Sequence, residues 1–107
     1  MSKRPNRLDA LRETAPKLVE LTEQVAYADV WERPELSKRD RSLITVAGLV
    51  AMNRERQLTG HLNRALDNGV TREELIEAIT HMAFYSGWPT ALTAAVIAKD
   101  VFEARED

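Results

Sequence analysis

The two histidines, His61 and His81, are the first candidates for chemistry in this 107-residue chain. An imidazole has an ordinary pKa of about 6.5, so it can exchange protons near neutral pH. His81 follows Glu77 by four residues and precedes Tyr85 by four, so these three side chains share one face of a helix. A carboxylate at that distance can orient the ring. The spacing indicates an oriented acid beside the corner formed by residues 87–89.

Each histidine also has a purely structural interpretation. His61 lies on the helix side that carries Leu58, Leu62 and Ala65, so it points towards the core or another chain. A histidine that is simply hydrogen-bonded in an interface is the more common arrangement there, because buried polar groups usually find partners. The face of His81 fits a solvated polar edge equally well. The spacing leaves both interpretations open for both histidines.

Thiol, metal and cofactor chemistry are not expected. The chain has no cysteine, which excludes disulfides, thiolate nucleophiles and cysteine-ligated zinc. The pair Glu77-x-x-x-His81 lacks the His-x-x-x-His or Glu-x-x-His spacing of a helical metal site, so no metal ligands are assigned. No glycine-rich phosphate loop occurs in the sequence, and no cofactor is expected.

Several arginines could bind an anionic substrate. Arg41 belongs to a basic run at the start of an apolar stretch, where cations oppose the helix dipole. Arg41 could instead bind the carboxylate of a ligand through a bidentate contact. Arg54, Arg56 and Arg64 follow on the next predicted helix. This set suits a small anionic ligand.

The overall charge argues against large anionic partners. Lys and Arg number 15 against 17 Asp and Glu, which leaves a net charge of -2. We therefore expect neither nucleic-acid binding nor attraction to an anionic membrane. No run approaches the roughly 18–20 apolar residues of a membrane span, and no apolar segment of a secretory signal follows the charged start. A cytoplasmic location is expected.

Helical periodicity and end signals predict an all-α bundle of about five to six helices. A short helix is expected near Leu8, and longer ones over about 16–28, 38–52, 54–67, 72–86 and 89–102. Ser37 and the Thr71/Glu74 capping box predict two helix starts, while Gly69 and Gly87 predict two helix ends. No segment alternates with a period of two, so no strand is expected. The chain is predicted to form a single domain over 1–107, with 1–15 peripheral or partly frayed and 1–6 frayed.

Two of these helices are too apolar for a small monomer. The stretches 43–52 and 90–102 are apolar over more than one face. A helix that is apolar all round needs cover on all sides, which a 107-residue bundle cannot supply for two helices. The pattern predicts that other copies of the chain cover the surplus and that the protein is an obligate oligomer.

Three motifs resemble the carboxymuconolactone decarboxylase family. They are Arg-Asp-Arg-Ser at 39–42, the run His…Asn-Gly-Val-Thr…Glu-Glu-Leu-Ile-Glu at 61–77, and Tyr-x-Gly-x-Pro-x-Ala at 85–91. The likeness covers about residues 31–102. It implies an all-α fold similar to alkylhydroperoxidase D, assembled as a trimer or hexamer.

The peroxidase branch of that superfamily carries Cys-x-x-Cys-x-x-x-His. Matching its histidine to His61 places Arg54 and Gln57 at the cysteine positions, so thiol peroxidase activity is not expected.

The resemblance therefore implies the decarboxylase branch and a role in aromatic-compound breakdown. There a 4-carboxymuconolactone-like substrate loses carbon dioxide, and the conjugated lactone carbonyl accepts the electron pair. His81 or His61 would then deliver a proton to carbon, with Glu77 orienting His81 and Tyr85 donating to the lactone oxygen.

The chemistry of this reaction, and not the resemblance itself, suggests which residues would bind the substrate. Arg41 and Arg54 would bind its carboxylates, and Trp88 would form a wall of the pocket. Two alternatives remain open, because a fold does not fix a function. They are another lactone-processing enzyme and a non-catalytic oligomer that binds a small ligand or serves as a scaffold.

Overall fold

The computed structural model describes residues 7–106, with residue 7 described by its backbone only. The expectation that residues 1–6 are frayed lies outside these residues. Every regular element in the described range is helical and none is a strand, which confirms the all-α prediction. The chain divides into two compact units, one up to residue 35 and one from residue 36 onward.

The first unit consists of short helical elements. Helix α1 spans Arg7–Leu11 and α2 spans Pro16–Leu21, with the proline in the first turn, where its missing N–H leaves no helix hydrogen bond unmade. The chain then continues as a π-helix over Thr22–Tyr27 and a 3-10 turn over Val30–Glu32. One long α-helix was expected over 16–28. The difference lies in the hydrogen-bond spacing, because the Ala28 N–H donates to Glu23 O, five residues earlier, at 3.0 Å.

The second unit contains four longer helices. Helix α3 spans Lys38–Ala51, α4 spans Glu55–Asp67, α5 spans Arg72–Ser86 and α6 spans Trp88–Glu106. Ser37 caps α3, since its hydroxyl accepts the Asp40 N–H at 3.0 Å. The two glycines after α4 and α5 have positive φ angles of 97° at Gly69 and 108° at Gly87, a region that side chains disfavour. The predicted ends of α3, α4 and α5 are confirmed to within one residue, whereas α6 continues four residues beyond its predicted end at 102.

The four helices form a bundle with a defined neighbour order. Helix α3 packs against α4 and α5, and α6 packs against the same two helices. Helices α4 and α5 therefore occupy opposite corners of the bundle. Their inward faces meet a shared apolar core that includes Val46, Leu62, Leu75, Ile79 and Ala98. This order matters for function because His61 lies on α4 and His81 lies on α5.

The start of α5 is held by a carboxylate with two partners. Glu74 Oε1 accepts the Thr71 N–H at 2.9 Å, and the Thr71 hydroxyl accepts the Glu74 N–H at 3.0 Å, which confirms the capping box. The other oxygen of Glu74 accepts a hydrogen bond from Arg39 on α3. The Thr71 backbone bond and then the Arg39 contact lower the pKa of Glu74 below its ordinary range.

We expect this contact to make folding acid-sensitive. A carboxyl whose pKa is lower in the folded state stabilises the fold above its unfolded pKa, about 4.3 for glutamate. That contribution is lost as the pH falls through the lower, folded pKa. In urea titrations between pH 7 and pH 3, Glu74→Gln should show a smaller loss of unfolding free energy than the wild type. Glu73→Gln, one residue earlier in the same first turn, is the matched control. Equal pH dependence of all three proteins would contradict the assignment.

Candidate functional site

Helix α5 presents Glu77, His81 and Tyr85 as the sequence spacing requires. The rings of His81 and Tyr85 contact each other, with centroids 4.8 Å apart and planes inclined by 37°. All three side chains are exposed in the single chain, and Tyr85 is 74% exposed. Within the described residues, Glu77 forms neither a hydrogen bond nor an ion pair with His81. The imidazole is therefore placed by its stacking against Tyr85.

A second aromatic pair adjoins this stripe. Phe84 and Trp88 meet edge to face, with centroids 5.1 Å apart and planes inclined by 82°. Trp88 was predicted to form a pocket wall, whereas Phe84 was not among the predicted site residues. The sequence spacing could have indicated Phe84 as a site residue, because Phe84 precedes Trp88 by four residues and neighbours Tyr85. We call His81, Phe84, Tyr85 and Trp88 the aromatic corner.

The turn between α5 and α6 holds the aromatic corner in place. The Ser86 hydroxyl donates to Met82 O at 2.9 Å, and the Thr90 hydroxyl donates to Gly87 O at the same distance. The two hydroxyl oxygens lie 3.0 Å apart. Because these bonds tie the last turn of α5 to the first turn of α6, Tyr85 and Trp88 project from a fixed bend.

His61 occupies a different environment. It is half-buried on α4, and its Nδ1 atom is shielded from solvent. Burial, followed by the positive charge of Arg64, lowers the pKa of His61 below its ordinary value. Both effects disfavour the imidazolium ion. Since α4 and α5 lie at opposite corners of the bundle, the two histidines do not share adjacent helices of one chain.

A narrow crevice lies between the α3–α4 turn and α6. It is lined by Leu49, Val50, Asn53, Arg54, Glu55, Leu58, Thr90, Thr93 and Ala94, with an empty volume of about 150 Å³ that includes its open mouth. Asn53 shapes the turn with a φ of 55°, which asparagine tolerates better than most residues. One face leads from the crevice towards the middle of α4. It carries Arg54, which precedes the helix, then Leu58 four residues later and His61 three residues after that.

The first turns of α3 contain the other predicted cation and a buried hydroxyl. Arg41 is half-buried, and its Nε donates to Leu36 O at 3.1 Å, so part of its guanidinium is engaged by the backbone. The next residue, Ser42, is fully buried and accepts a hydrogen bond from Asn68 Nδ2 at 2.9 Å. This bond joins the start of α3 to the end of α4. Ser42 was not among the predicted site residues, and only its place in the Arg-Asp-Arg-Ser motif indicated it.

Two further findings concern residues 7–106. No group of three or more histidine, cysteine, aspartate or glutamate side chains in this range could hold a metal ion. None of the helices within it has the length and hydropathy needed to cross a membrane.

Comparisons with known proteins give a family and two relatives. The sequence profile of the Carboxymuconolactone decarboxylase family matches residues 16–100. Over 78 residues, or 73% of this chain, the sequence is 44% identical to 4-carboxymuconolactone decarboxylase of Acinetobacter baylyi, covering 58% of that protein. It is 36% identical over 78 residues, again 73% of the chain, to nitrosuccinic acid decarboxylase of Metarhizium robertsii, covering 54% of that protein. The matched region thus spans between half and two thirds of each relative.

Proposed function

The chain belongs to the carboxymuconolactone decarboxylase family, and from this membership we propose that it is a cofactor-independent carboxy-lyase. Its substrate would be a small carboxylated lactone resembling 4-carboxymuconolactone, in aromatic-compound breakdown in the cytoplasm. The observation that carries the proposal is the 44% identity to a 4-carboxymuconolactone decarboxylase. The family match also crosses the boundary between the two compact units, which favours residues 1–107 acting as one domain.

The aromatic corner supports the proposed chemistry. Breaking the bond to the carboxylate releases carbon dioxide and leaves an electron pair, which the conjugated lactone carbonyl accepts as a dienolate. His81 would deliver the proton to carbon, and Tyr85 would donate a hydrogen bond to the lactone oxygen. The contact between the two rings fits these paired roles. Glu77 would orient His81 once the site is filled, and Trp88 would cover the lactone.

The face of α4 offers an alternative proton donor and the anion contacts. His61 is the second candidate acid, since it lies on the same helix face as Arg54. Arg54 and Arg41 would bind carboxylates of the substrate. Arg54 is the more available of the two, because Arg41 already donates to a backbone carbonyl.

We also propose an alkylhydroperoxidase D-like fold and an obligate homo-oligomer, a trimer or a hexamer. Large apolar side chains on the outer faces of α3 and α6 support the oligomer. Ile44, Met52, Leu92 and Val96 are each about 60% exposed in the single chain. Burying such side chains gains roughly 1.5–3 kcal/mol apiece, so a second copy of the chain would stabilise these faces. The exposed aromatic corner would gain an enclosing wall in the same way.

The assembly is tested by measuring mass in solution. Light scattering after size-exclusion chromatography at micromolar concentration should give a multiple of the 12.1 kDa chain mass. Val96→Glu should shift the population towards smaller species, because a carboxylate cannot be buried unpaired at an apolar interface. Lys99→Glu, one turn further along α6 at an exposed position, is the control for added negative charge. A stable monomer of the wild-type chain would contradict the proposal.

The proposed activity is tested by following carbon dioxide release. The purified protein should release one carbon dioxide per 4-carboxymuconolactone, with no added metal or cofactor. Nitrosuccinic acid is the second substrate to try, because a relative is named for it. Lactone turnover without carbon dioxide would instead indicate another lactone-processing enzyme. Saturable binding without turnover of either compound would indicate a non-catalytic oligomer.

A further inference from the structure

Arg54 differs from the other basic side chains of the described range. Each other lysine or arginine whose side chain is described has a hydrogen bond, an ion pair or another electrostatic contact within the chain. Arg54 makes none of these contacts with the described residues, although it lines the narrow crevice. A guanidinium without an internal partner is available to bind a carboxylate through two parallel hydrogen bonds.

A second unused donor lies across the crevice from Arg54. Thr45 and Thr80 donate their hydroxyls to the carbonyl oxygens four residues earlier, at 2.7 and 2.8 Å. Thr93, on α6, makes no such bond and no other hydrogen bond with the described residues. Its hydroxyl can therefore donate to a ligand. The crevice contains no space for a water-sized sphere, so an anion would rest at the mouth, where Arg54 is exposed.

One lining residue opposes an anion. Glu55 follows Arg54 and also borders the crevice, and it forms no ion pair with Arg54. A carboxylate ligand must therefore gain more from Arg54 and Thr93 than it loses to Glu55. Removing the charge of Glu55 should strengthen anion binding, whereas removing Arg54 should weaken it.

The chemistry of decarboxylation decides which carboxylate belongs at Arg54. When the bond to the leaving carboxylate breaks, its negative charge moves to the dienolate and the departing group becomes neutral. A cation paired with the leaving carboxylate would stabilise the ground state more than the transition state and slow the reaction. A cation can instead pair with a carboxylate that the substrate retains. Such a cation binds the ground state and the transition state equally well. It therefore anchors the substrate without opposing the loss of carbon dioxide.

We propose that Arg54 and Thr93 bind the carboxylate that the substrate retains, so that the site selects dicarboxylates over monocarboxylates. The inference rests on the proposed decarboxylase function, because it deepens the assignment of Arg54 as a substrate contact. Arg54 supplies the charge, and Thr93 supplies a neutral hydrogen bond that fixes the orientation. The retained group thus positions the leaving carboxylate further along the substrate.

Calorimetric binding of succinate and butyrate to the full chain tests the subsite directly. The two probes have the same carbon number and differ by one carboxylate, so their affinity ratio isolates that group. The wild type should bind succinate at least tenfold more tightly than butyrate. Arg54→Gln should weaken succinate about 10–100-fold, the range for hydrogen bonds to charged groups, and Thr93→Val about two- to tenfold. Glu55→Gln should tighten succinate binding. Lys99→Gln, which removes an exposed cation from the helix that carries Thr93, should leave both affinities unchanged.

The outcomes separate this inference from the proposed function. An undiminished preference for succinate in Arg54→Gln, or no binding of succinate by the wild type at millimolar concentration, overturns the subsite. Carbon dioxide release that continues with an unaltered KM in Arg54→Gln also overturns it, while leaving the decarboxylase proposal intact. Conversely, succinate binding that depends on Arg54, in a protein that releases no carbon dioxide, supports the subsite and removes the decarboxylase.

Discussion

His81→Gln should lower the rate of carbon dioxide release about 10²–10⁴-fold, the usual contribution of general acid catalysis. Glutamine keeps a polar side chain of similar reach but cannot deliver a proton at neutral pH. The affinity for a substrate-like dicarboxylate should change much less, because the carboxylates are proposed to bind to arginines and not to His81. The measurement is single-turnover carbon dioxide release, together with calorimetry for the ligand. A mass in solution equal to that of the wild type would show that the substitution has not altered the assembly state.

The comparison with His61→Gln decides between the two proton donors. If His81 is the donor, His61→Gln should fold and retain more activity than His81→Gln, and Glu77→Gln should act in the same direction as His81→Gln but more weakly. Abolished turnover in His61→Gln, with near-normal turnover in His81→Gln, would reverse the assignment. If neither change lowers the rate, histidine acid catalysis is wrong for this protein. Tyr85 or a bound water would then be the better candidate.

The helices of the second unit could be predicted because their sequence signals are local. Ser37, Thr71, Gly69 and Gly87 each determine a helix end through bonds or backbone angles that involve only nearby residues. The π-helix at Thr22–Tyr27 was not predicted, since its apolar residues also fit an ordinary α-helix and its defining feature is bond spacing. The neighbour order of α3 to α6 depends on contacts distant in sequence, which periodicity does not encode.

The candidate site was predictable only within single helices. The spacing of four residues brought the rings of His81 and Tyr85 into contact, as an i, i+4 pair on a helix must. Spacing could not reveal that the helices of His61 and His81 occupy opposite corners. It also could not show that Arg41 donates to a backbone carbonyl while Arg54 has no partner among residues 7–106, because such pairing is decided by tertiary structure. The roles of all these residues remain predictions.

Leu62→Ala should cost about 2–5 kcal/mol of unfolding free energy, the range measured for leucine truncation in protein cores. Leu62 is 0% exposed and belongs to the core cluster between the four helices. Its loss would leave a cavity that the neighbouring side chains fill only in part. Since domains are stable by only about 5–15 kcal/mol, this would be a large share of the total. Equilibrium unfolding in urea, at one fixed protein concentration for every variant, measures the change.

Leu18→Ala is the matched control, because it removes the same atoms from a side chain that is 59% exposed on α2. Its effect should stay within about 0.5 kcal/mol, as for most surface substitutions. The difference between the two variants then measures burial and not helix propensity, since leucine is replaced by alanine within a helix in both. A loss below about 1 kcal/mol in Leu62→Ala would mean that α4 does not pack as described. The placement of His61, one residue earlier on the same helix, would then have to be revised with it.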